Sequence, residues 1–395
     1  MVVTGARQVG KSTLLRHYMG QDAEFVVFDP GVDVENARQD PELFLANHRT
    51  PLVLDEVQYA SEVLGPLKRR IDADRRPGQY LLTGSQQWGV LKSVAESLAG
   101  RVAILELDGF ALGEIAEPRA ERPWLVDWLD NPEKFAAAAP GKRMALKHNL
   151  LESLWRGFLP EAQLMSKEII PDFHLGYQRT YIERDARLLA DVSDWQQFGR
   201  FMRLVAALTA CELNHSELGR EIGITPQTSK RWLDVLRASF QWYDVPAYAG
   251  NTIKRISGRS KGFFTDTGVV CASLAISSPA ALASHPNWGA VFETAVYAEV
   301  RKALGTLSSR PNVYHWRVHS GAEVDLLLER DGMFFPVEVK AHSRPSRKDT
   351  QGISSFRAVY PQLRIAPGLV VCPCEQIARL SENDWAVPWD AACIP

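Results

Sequence analysis

The sequence has little of three things that would narrow its class at once: an excess of one charge, paired cysteines and long apolar runs. Its 45 Lys and Arg residues nearly balance 47 Asp and Glu residues, so any contact with nucleic acid or an acidic membrane surface has to be local. No apolar run approaches the roughly 18 residues of a membrane helix, and we expect no membrane association and a cytoplasmic location. Five cysteines lack the spacing of a zinc site or a disulfide framework, namely Cys211, Cys271, Cys372, Cys374 and Cys393.

Residues 5–13 form a complete phosphate-binding motif, with a glycine at each end of the loop and Lys-Ser-Thr after it. The two glycines allow a tight turn, so that backbone N–H groups and the start of the next helix converge on an anion. Lys11 would neutralise the outer phosphates, and Ser12 would offer its hydroxyl to Mg²⁺. The motif predicts an ATP and Mg²⁺ site whose nucleotide-binding residues are Gly5, Ala6, Arg7, Gln8, Val9, Gly10, Lys11, Ser12 and Thr13.

Only four residues precede this loop, so we expect a short first strand. Strands at the centre of such sheets are usually longer. A chain trimmed at its N-terminus or a start site assigned too late would explain this, and residues of an adenine pocket would then be missing.

A short apolar run at residues 51–54 ends at two adjacent carboxylates, Asp55 and Glu56. Asp55 would hold Mg²⁺ through its water shell, and Glu56 would polarise the attacking water as the catalytic base. The alternative is a buried strand that ends in surface acids. The phosphate loop upstream favours the catalytic interpretation.

The run at residues 79–85 predicts a fourth strand whose polar end lies between these two sites. Thr83 and Ser85 are therefore candidate sensors of the γ-phosphate. Both hydroxyls could instead cap the following helix, and the sequence leaves the two interpretations open.

From about residue 116 the alternation of strands and helices stops, and the pattern predicts a helical lid through residue 195. Residues 181–185 mix charges of both signs, which is typical of a solvated helix face. A catalytic role for Arg184 in this segment is the alternative.

Residues 196–260 have the spacing of a helix-turn-helix inside a winged helix. A tight turn at residues 223–225 separates two helices, and Thr225 and Pro226 specify the start of the second. Residues 240–248 and 251–256 are the predicted wing strands. The candidate DNA contacts project from the start of the second helix and are Gln227, Thr228, Lys230 and Arg231. A protein–protein or intradomain role is equally open.

The last third contains three acids and a lysine that the pattern brings together. Apolar residues alternate along two strands joined by a turn at Asp331-Gly332, so Asp325, Glu338 and Lys340 should share the opposite face. With Glu293 from a preceding helix they could bind Mg²⁺ and cut a phosphodiester. The alternative is a half-exposed hairpin with cross-strand ion pairs such as Asp325 with Lys340.

Together these motifs resemble the prokaryotic AAA-type ATPases that carry a C-terminal domain of unknown function with a winged helix and a restriction-endonuclease-like fold. The resemblance implies ATP binding, probable hydrolysis and an AAA-like core. It also implies that Arg101 is an arginine finger or sensor, with Arg184 as second choice. The residues that carry it are 5–13, 53–56, 83–85, 97–101, 181–185, 223–232, 261–268, 321–325 and 338–340.

The expected fold is an α/β protein with a P-loop AAA-type parallel sheet, a helical lid, a winged helix and an α/β restriction-endonuclease-like domain. The expected boundaries are 1–115 for the ATPase core, 116–195 for the lid, 196–260 for the winged helix and 261–395 for the PD-(D/E)XK nuclease-like domain. The leading hypothesis is an ATPase whose nucleotide state controls the C-terminal region, with ATP and further copies of the same chain in a homo-oligomer as its expected partners. An ATP-gated Mg²⁺-dependent DNA nuclease and a non-cutting ATP-regulated DNA-binding protein are the alternatives.

Overall fold

The computed structural model describes residues 1–28, 34–84, 98–119, 122–137, 143–182, 194–250, 258–318 and 321–392. Ser85, Arg184 and the predicted wing strand at 251–256 lie outside these residues. Among the helices described, none has the length and apolar character needed to cross a membrane. Four of the cysteines fall within the described ranges, and all four are free thiols.

The N-terminal unit is a parallel sheet of five strands in the order β2-β3-β4-β1-β5. Helices follow the strands, as the alternating pattern predicts. The first strand is three residues long, which confirms the expectation of a short strand. The strands are β1 Val2–Thr4, β2 Glu24–Val27, β3 Leu52–Asp55, β4 Tyr80–Gly84 and β5 Ile104–Glu106, and the helices are α1 Lys11–Met19, α2 Val34–Gln39, α3 Pro41–Ala46 and α4 Leu64–Ala73.

This strand order brings distant parts of the chain together at one edge of the sheet. Strand β4 lies between β1, which leads into the phosphate loop, and β3, which ends at Asp55. Because all strands are parallel, their carboxyl ends meet at the same edge. The structure thereby confirms that the polar end of the fourth strand lies between the other two.

The segment expected to form a lid is helical, but it does not form a separate layer over the ATPase unit. Its buried residues, among them Trp128, Leu154 and Phe158, belong to the same hydrophobic core as the C-terminal unit. Burial of these side chains ties the segment to that unit. Its helices are α5 Leu112–Ile115, α6 Trp124–Asp130, α7 Pro132–Ala137, α8 Leu150–Arg156, α9 Pro160–Leu164 and α10 Ile170–Tyr177, with a π-helical stretch at Gln178–Ile182.

The middle unit consists of α11 Trp195–Ala207, β6 Cys211–Glu212, α12 His215–Ile222, α13 Pro226–Ala238, β7 Trp242–Val245 and β8 Lys261–Phe264. The start of α13 is as predicted: Thr225 is its N-cap, its hydroxyl accepts a hydrogen bond from the Thr228 N–H at 3.1 Å, and Pro226 follows. Strand β7 pairs antiparallel with β8, which lies beyond the predicted boundary at residue 260.

The C-terminal unit is a mixed sheet in the order β14-β15-β13-β11-β10-β9, with β12 beside β11. Hydrophobic residues pack on both of its faces, because Leu326 and Val337 belong to one core cluster and Leu327 and Phe334 to another. The alternative interpretation of this region, a half-exposed hairpin, needs one exposed face, but both faces are buried. The ion pair named with that alternative is present, with 3.8 Å between Lys340 Nζ and Asp325 Oδ2. The elements are α14 Thr267–Ser273, α15 Pro279–Ala283, α16 Trp288–Gly305, β9 Asn312–Arg317, β10 Glu323–Arg330, β11 Met333–Val339, α17 Gln351–Val359, β12 Arg364–Ile365, β13 Gly368–Cys372, β14 Ala378–Arg379 and β15 Asp384–Pro388.

Candidate nucleotide site and C-terminal charge cluster

The phosphate loop has the conformation of an anion-binding turn. Gly5 has φ 141° and Gly10 has φ 92°, both in regions that residues with a side chain rarely adopt. A Cβ atom on Gly5 would lie 2.0 Å from the Leu107 carbonyl oxygen, so this position also excludes side chains by space. Gly10 precedes α1, and no side chain caps the helix there. The start of α1 can therefore offer its N–H groups and positive dipole end to a phosphate.

Lys11 lies inside this turn. Its ammonium donates hydrogen bonds to the carbonyl oxygens of Ala6 at 2.8 Å and Gly5 at 3.1 Å, and the side chain is buried. Phosphate oxygens can accept these hydrogen bonds in place of the two carbonyl oxygens, and the charge of Lys11 then neutralises part of the phosphate charge. Ser12 is half-buried and Thr13 is exposed, at the first turn of α1.

The side chain of Thr83 links the carboxylate of Asp55 to the backbone of Glu56. Its hydroxyl donates a hydrogen bond to the Asp55 carboxylate and accepts one from the Glu56 backbone N–H at 3.0 Å. Thr83 is completely buried and Asp55 nearly so. Since β4 lies next to the strand of the phosphate loop, this network stands beside the place where phosphates would bind.

Glu56 follows β3 in a left-handed conformation with φ 58°, which is uncommon for a residue with a side chain. Its carboxylate accepts a hydrogen bond from the Gln58 amide. Its backbone is fixed by Thr83, as described above. Such local strain often occurs at functional sites, where the surrounding contacts hold it in place.

Arg101 lies at the other edge of the sheet. It precedes β5, whose first residue pairs with Val2 at the amino end of β1. Its guanidinium forms a two-point ion pair with Asp72 at the end of α4, with N···O distances of 2.6 Å and 3.0 Å. This hydrogen bond holds the pKa of the Asp72 carboxyl below its ordinary value. The structure therefore does not bring Arg101 to the phosphate loop of its own chain.

The back of the phosphate loop is in contact with the C-terminal units. Leu107, whose carbonyl lies against Gly5, is flanked by Glu106 and Asp108, and both carboxylates pair with Arg301 of α16. The Arg301 guanidinium carbon also lies 3.5 Å from the ring centroid of Tyr243 on β7, and the Tyr243 hydroxyl donates to Glu106. Asp108, Tyr243 and Arg301 are half-buried, and a cation that faces two carboxylates and an aromatic ring is held more firmly there than on an open surface.

Two further contacts join α16 to the segment after β5. Lys302 donates to the Phe110 carbonyl oxygen at 2.7 Å, and the Glu299 carboxylate accepts from the Leu112 N–H at 2.9 Å. Tyr177 of α10 reaches the loop itself, where its hydroxyl donates to the Arg7 carbonyl oxygen at 3.2 Å. The phosphate loop is thus held between its own sheet and elements more than a hundred residues further along the chain.

The four residues of the predicted nuclease site come together, and a fifth joins them. Lys340 is 2.8 Å from a Glu338 oxygen and 3.8 Å from Asp325 Oδ2. Lys261 of β8 pairs with Glu293, and its Nζ lies 3.1 Å from Asp325 Oδ1. The sequence analysis missed Lys261, although a lone lysine opening the buried run Gly262-Phe263-Phe264 was a signal.

The burial of this cluster changes its ionisation. Burial and the Asp325 charge raise the pKa of Glu293 to about 8, although Lys261 works in the other direction. Burial also raises the pKa of Glu338 well above its ordinary value. Burial alone would raise the pKa of Asp325, but Lys261, Lys340 and the Val339 N–H together lower it. Both lysines have raised pKa values, because the carboxylates outweigh the burial of their ammonium groups.

The predicted DNA contacts lie at the start of α13. Gln227, Lys230 and Arg231 are exposed, and Thr228 is half-buried beside the cap. The buried face of the same helix carries Trp232 and Leu233. The helix therefore directs its polar side chains outward and packs its apolar face against the middle unit.

Comparison with known proteins finds three matched regions along the chain. Residues 1–116 match an AAA domain, residues 147–280 match a domain of unknown function (DUF8612) and residues 288–392 match another domain of unknown function (DUF4143). The chain is 29% identical to the uncharacterized protein Rv2008c of Mycobacterium tuberculosis over 99% of this chain and 80% of that protein. The uncharacterized protein Mb2031c of Mycobacterium bovis gives the same identity and coverage.

Two solved structures are also similar in part. The RuvB Holliday junction branch migration motor of Thermotoga maritima is 16% identical, covers 62% of this chain and 81% of its own, and has a TM-score of 0.27. The protein VC1899 of Vibrio cholerae is 11% identical and has a TM-score of 0.18. Its match covers 98% of this chain and 94% of the VC1899 chain.

The AAA match coincides with the parallel sheet and includes the phosphate loop, Asp55 and Thr83. It confirms the predicted AAA-type core at the level of the domain. The two remaining matches cover the middle unit and the mixed sheet without assigning an activity to them. The chain is homologous to the mycobacterial proteins and consists of an N-terminal AAA domain followed by two domains of unknown function.

Proposed function

We propose that the protein binds and hydrolyses ATP at the edge of the parallel sheet, and that the nucleotide state controls the C-terminal units. The observation that carries this proposal is the Thr83 hydroxyl bridge between Asp55 and Glu56 on the strand next to the phosphate loop. A structural strand end would need neither the bridge nor the adjacent turn. Together they provide the groups that phosphoryl transfer to water requires.

Each residue has a task that follows from its position. The loop N–H groups and Lys11 bind the β and γ phosphates, and Ser12 and Asp55 fit as ligands of Mg²⁺, one directly and one through water. Bound Mg²⁺ would neutralise phosphate charge. Glu56 orients and deprotonates the attacking water, while Thr83 holds the Asp55 carboxylate and the backbone of Glu56 in place.

The contacts of Arg301 are the proposed route from this site to the rest of the molecule. Glu106 and Asp108 flank the residue that backs Gly5, so a change in loop position moves the carboxylates that Arg301 holds. Arg301 is on α16, which also carries Glu293 of the charge cluster eight residues earlier in the same 18-residue helix. If the open and closed states of the loop differ in affinity for ATP, closure on the nucleotide would therefore shift the residues of the charge cluster.

Nucleotide binding is tested directly by replacing Lys11. We expect a fluorescent ATP analogue to bind the wild type in the presence of Mg²⁺ and to bind Lys11→Ala much more weakly. Lys348→Ala, which removes an exposed lysine of the C-terminal unit, is the control and should bind as the wild type does. Equal binding by both variants would contradict the assignment of the loop.

For Arg101 we propose a role in a neighbouring copy of the chain, because its own phosphate loop is at the opposite edge of the sheet. A mixture of Arg101→Ala and Glu56→Gln protein tests this. The first variant keeps an intact site and the second keeps an intact arginine, so mixed oligomers should regain ATP turnover that neither variant has alone. No gain in oligomers shown to contain both chains would contradict a role in trans.

A second candidate function is DNA binding that ATP regulates. The observation that favours it is the order of elements in the middle unit, α11, β6, α12, α13, β7 and β8, which is compatible with the predicted winged helix. Gln227, Lys230 and Arg231 are exposed at the start of α13. We expect Lys230→Gln/Arg231→Gln protein to bind DNA more weakly and with a smaller salt dependence than wild type. Arg344→Gln/Arg347→Gln, which removes two exposed charges from the C-terminal unit, is the matched control.

A further inference from the structure

The charge cluster of the C-terminal unit has an unusual source for one of its cations. Four members of the cluster belong to the C-terminal unit. Glu293 lies on α16, Asp325 on β10 and Glu338 on β11, and Lys340 directly follows β11. Lys261 comes from β8, which belongs to the sheet of the middle unit. Its side chain is about as buried as the carboxylates that it contacts. An element of another unit thus supplies the ammonium group at the centre of this site.

The position of Lys261 is the one that a divalent cation would need. A nuclease-like arrangement would place Mg²⁺ or Mn²⁺ between Asp325 and a neighbouring carboxylate. Here the ammonium group of Lys261 lies between Asp325 and Glu293 and pairs with both. An ammonium group and a divalent ion cannot share this position between the two carboxylates, because their like charges repel strongly at such short range.

The oxygen atoms of Asp325 are already used. Oδ1 faces Lys261 at 3.1 Å, and Oδ2 accepts the Val339 N–H at 2.9 Å and faces Lys340 at 3.8 Å. Glu338 is paired with Lys340. In the part of the chain that the structure describes, no group of three or more His, Cys, Asp or Glu side chains has an arrangement that could hold a metal ion. The donor set present therefore does not fit a divalent metal.

We infer that Lys261 is an internal cation that closes the C-terminal acidic site to divalent metal, and that removing its amine turns the cluster into a metal site. The wild-type cluster then stabilises the contact between the middle unit and the mixed sheet instead of binding Mg²⁺. Cutting of nucleic acid at this site would require β8 to withdraw Lys261. This inference concerns the C-terminal units and is independent of ATP hydrolysis at the phosphate loop.

The test uses Mn²⁺ as the probe, with the full chain and no nucleotide. Free Mn²⁺ is measured by electron paramagnetic resonance for wild type, Lys261→Met and Lys261→Arg. Methionine has a similar length but no charge, whereas arginine keeps the cation. We expect a Mn²⁺ site in Lys261→Met that is absent from the other two proteins and is lost again in Lys261→Met/Asp325→Asn. The Asp325→Asn comparison separates this site from any Mn²⁺ at Ser12 and Asp55.

Thermal unfolding gives a second readout that a merely structural lysine would not produce. Mn²⁺ should raise the melting temperature of Lys261→Met and leave wild type and Lys261→Arg unchanged at this site. A Lys261→Met protein that folds and binds no Mn²⁺ would overturn the inference. If that variant does not fold, the wild-type protein provides the test. Mn²⁺ binding to wild type that Asp325→Asn abolishes would equally overturn the inference, and the absence of such binding would support it.

Discussion

The hydroxyl of Thr83 is the group whose removal tests the nucleotide site most selectively. Thr83→Val keeps the shape of the side chain but removes the hydroxyl that accepts from the Glu56 N–H and donates to the Asp55 carboxylate. Thr83 is completely buried, Asp55 nearly so and Glu56 half-buried. An unsatisfied buried group costs about 1 to 3 kcal/mol. Two such losses predict a decrease of about 2 to 6 kcal/mol in the free energy that keeps the ends of β3 and β4 closed, and the lower end applies because Glu56 is half-buried.

Thr83→Ser is the matched control, because it keeps the hydroxyl and loses only a methyl group. Its expected cost is about 1 kcal/mol, from the small cavity that remains. Amide hydrogen exchange of peptides from β3 and β4 measures the local opening free energy, and each 1.4 kcal/mol corresponds to about a tenfold faster exchange. ATP turnover should also fall further in Thr83→Val than in Thr83→Ser, since Asp55 and Glu56 lose their common support.

The reasoning would be refuted if the two variants exchanged at the same rate in β3 and β4 and hydrolysed ATP equally well. That result would mean that the hydroxyl bridge contributes to neither stability nor catalysis. Slower turnover with unchanged exchange would place the role of Thr83 in sensing the phosphate instead of in holding the strand ends together.

Three further changes test other parts of the account. Gly5→Ala should abolish binding of ATP in an equilibrium titration, because its Cβ would lie 2.0 Å from the Leu107 carbonyl oxygen at φ 141°; wild-type affinity would contradict the loop geometry. Arg301→Met leaves two carboxylates facing each other and should lower the free energy of unfolding, measured with urea, by about 2 to 4 kcal/mol. Arg301→Lys keeps the charge and should lower it by less. Equal losses in the two variants would contradict a role for the charge. The pKa of Glu293 rises from 4.5 to about 8 on folding, so the folded state holds a proton that the unfolded state has released, and stability should fall as the pH rises between these values. Glu293→Gln cannot ionise and should reduce this pH dependence of the melting temperature; an unchanged profile would show that Glu293 does not cause it.

The sequence alone predicts those features of the structure that depend only on residues close together in the chain. The phosphate loop, the Thr225 cap and Pro226 all depend on neighbours within a few residues, and the structure has them as predicted. The place of Thr83 beside Asp55 also followed, because the parallel sheet puts consecutive strand ends at one edge.

Contacts between distant segments could not be read in the same way. Lys261 is 64 residues from Asp325 along the chain, and Arg301 is 193 residues from Asp108. Neither pair has a periodic pattern that links its members, since charged residues on separate elements meet only when the whole fold is assembled. For the same reason the segment at 116–195 was predicted as a lid, although its apolar residues pack into the core of the C-terminal unit.

Release of phosphate from ATP by the purified protein and by Glu56→Gln, with Mg²⁺ and with or without DNA, tests the central claim most directly. The account predicts turnover by the wild type, loss of turnover in Glu56→Gln and retention of ATP binding in both. Equal turnover by the two proteins would contradict the claim that Asp55, Glu56 and Thr83 form a hydrolytic site. ATP binding without any turnover by the wild-type protein would contradict it too.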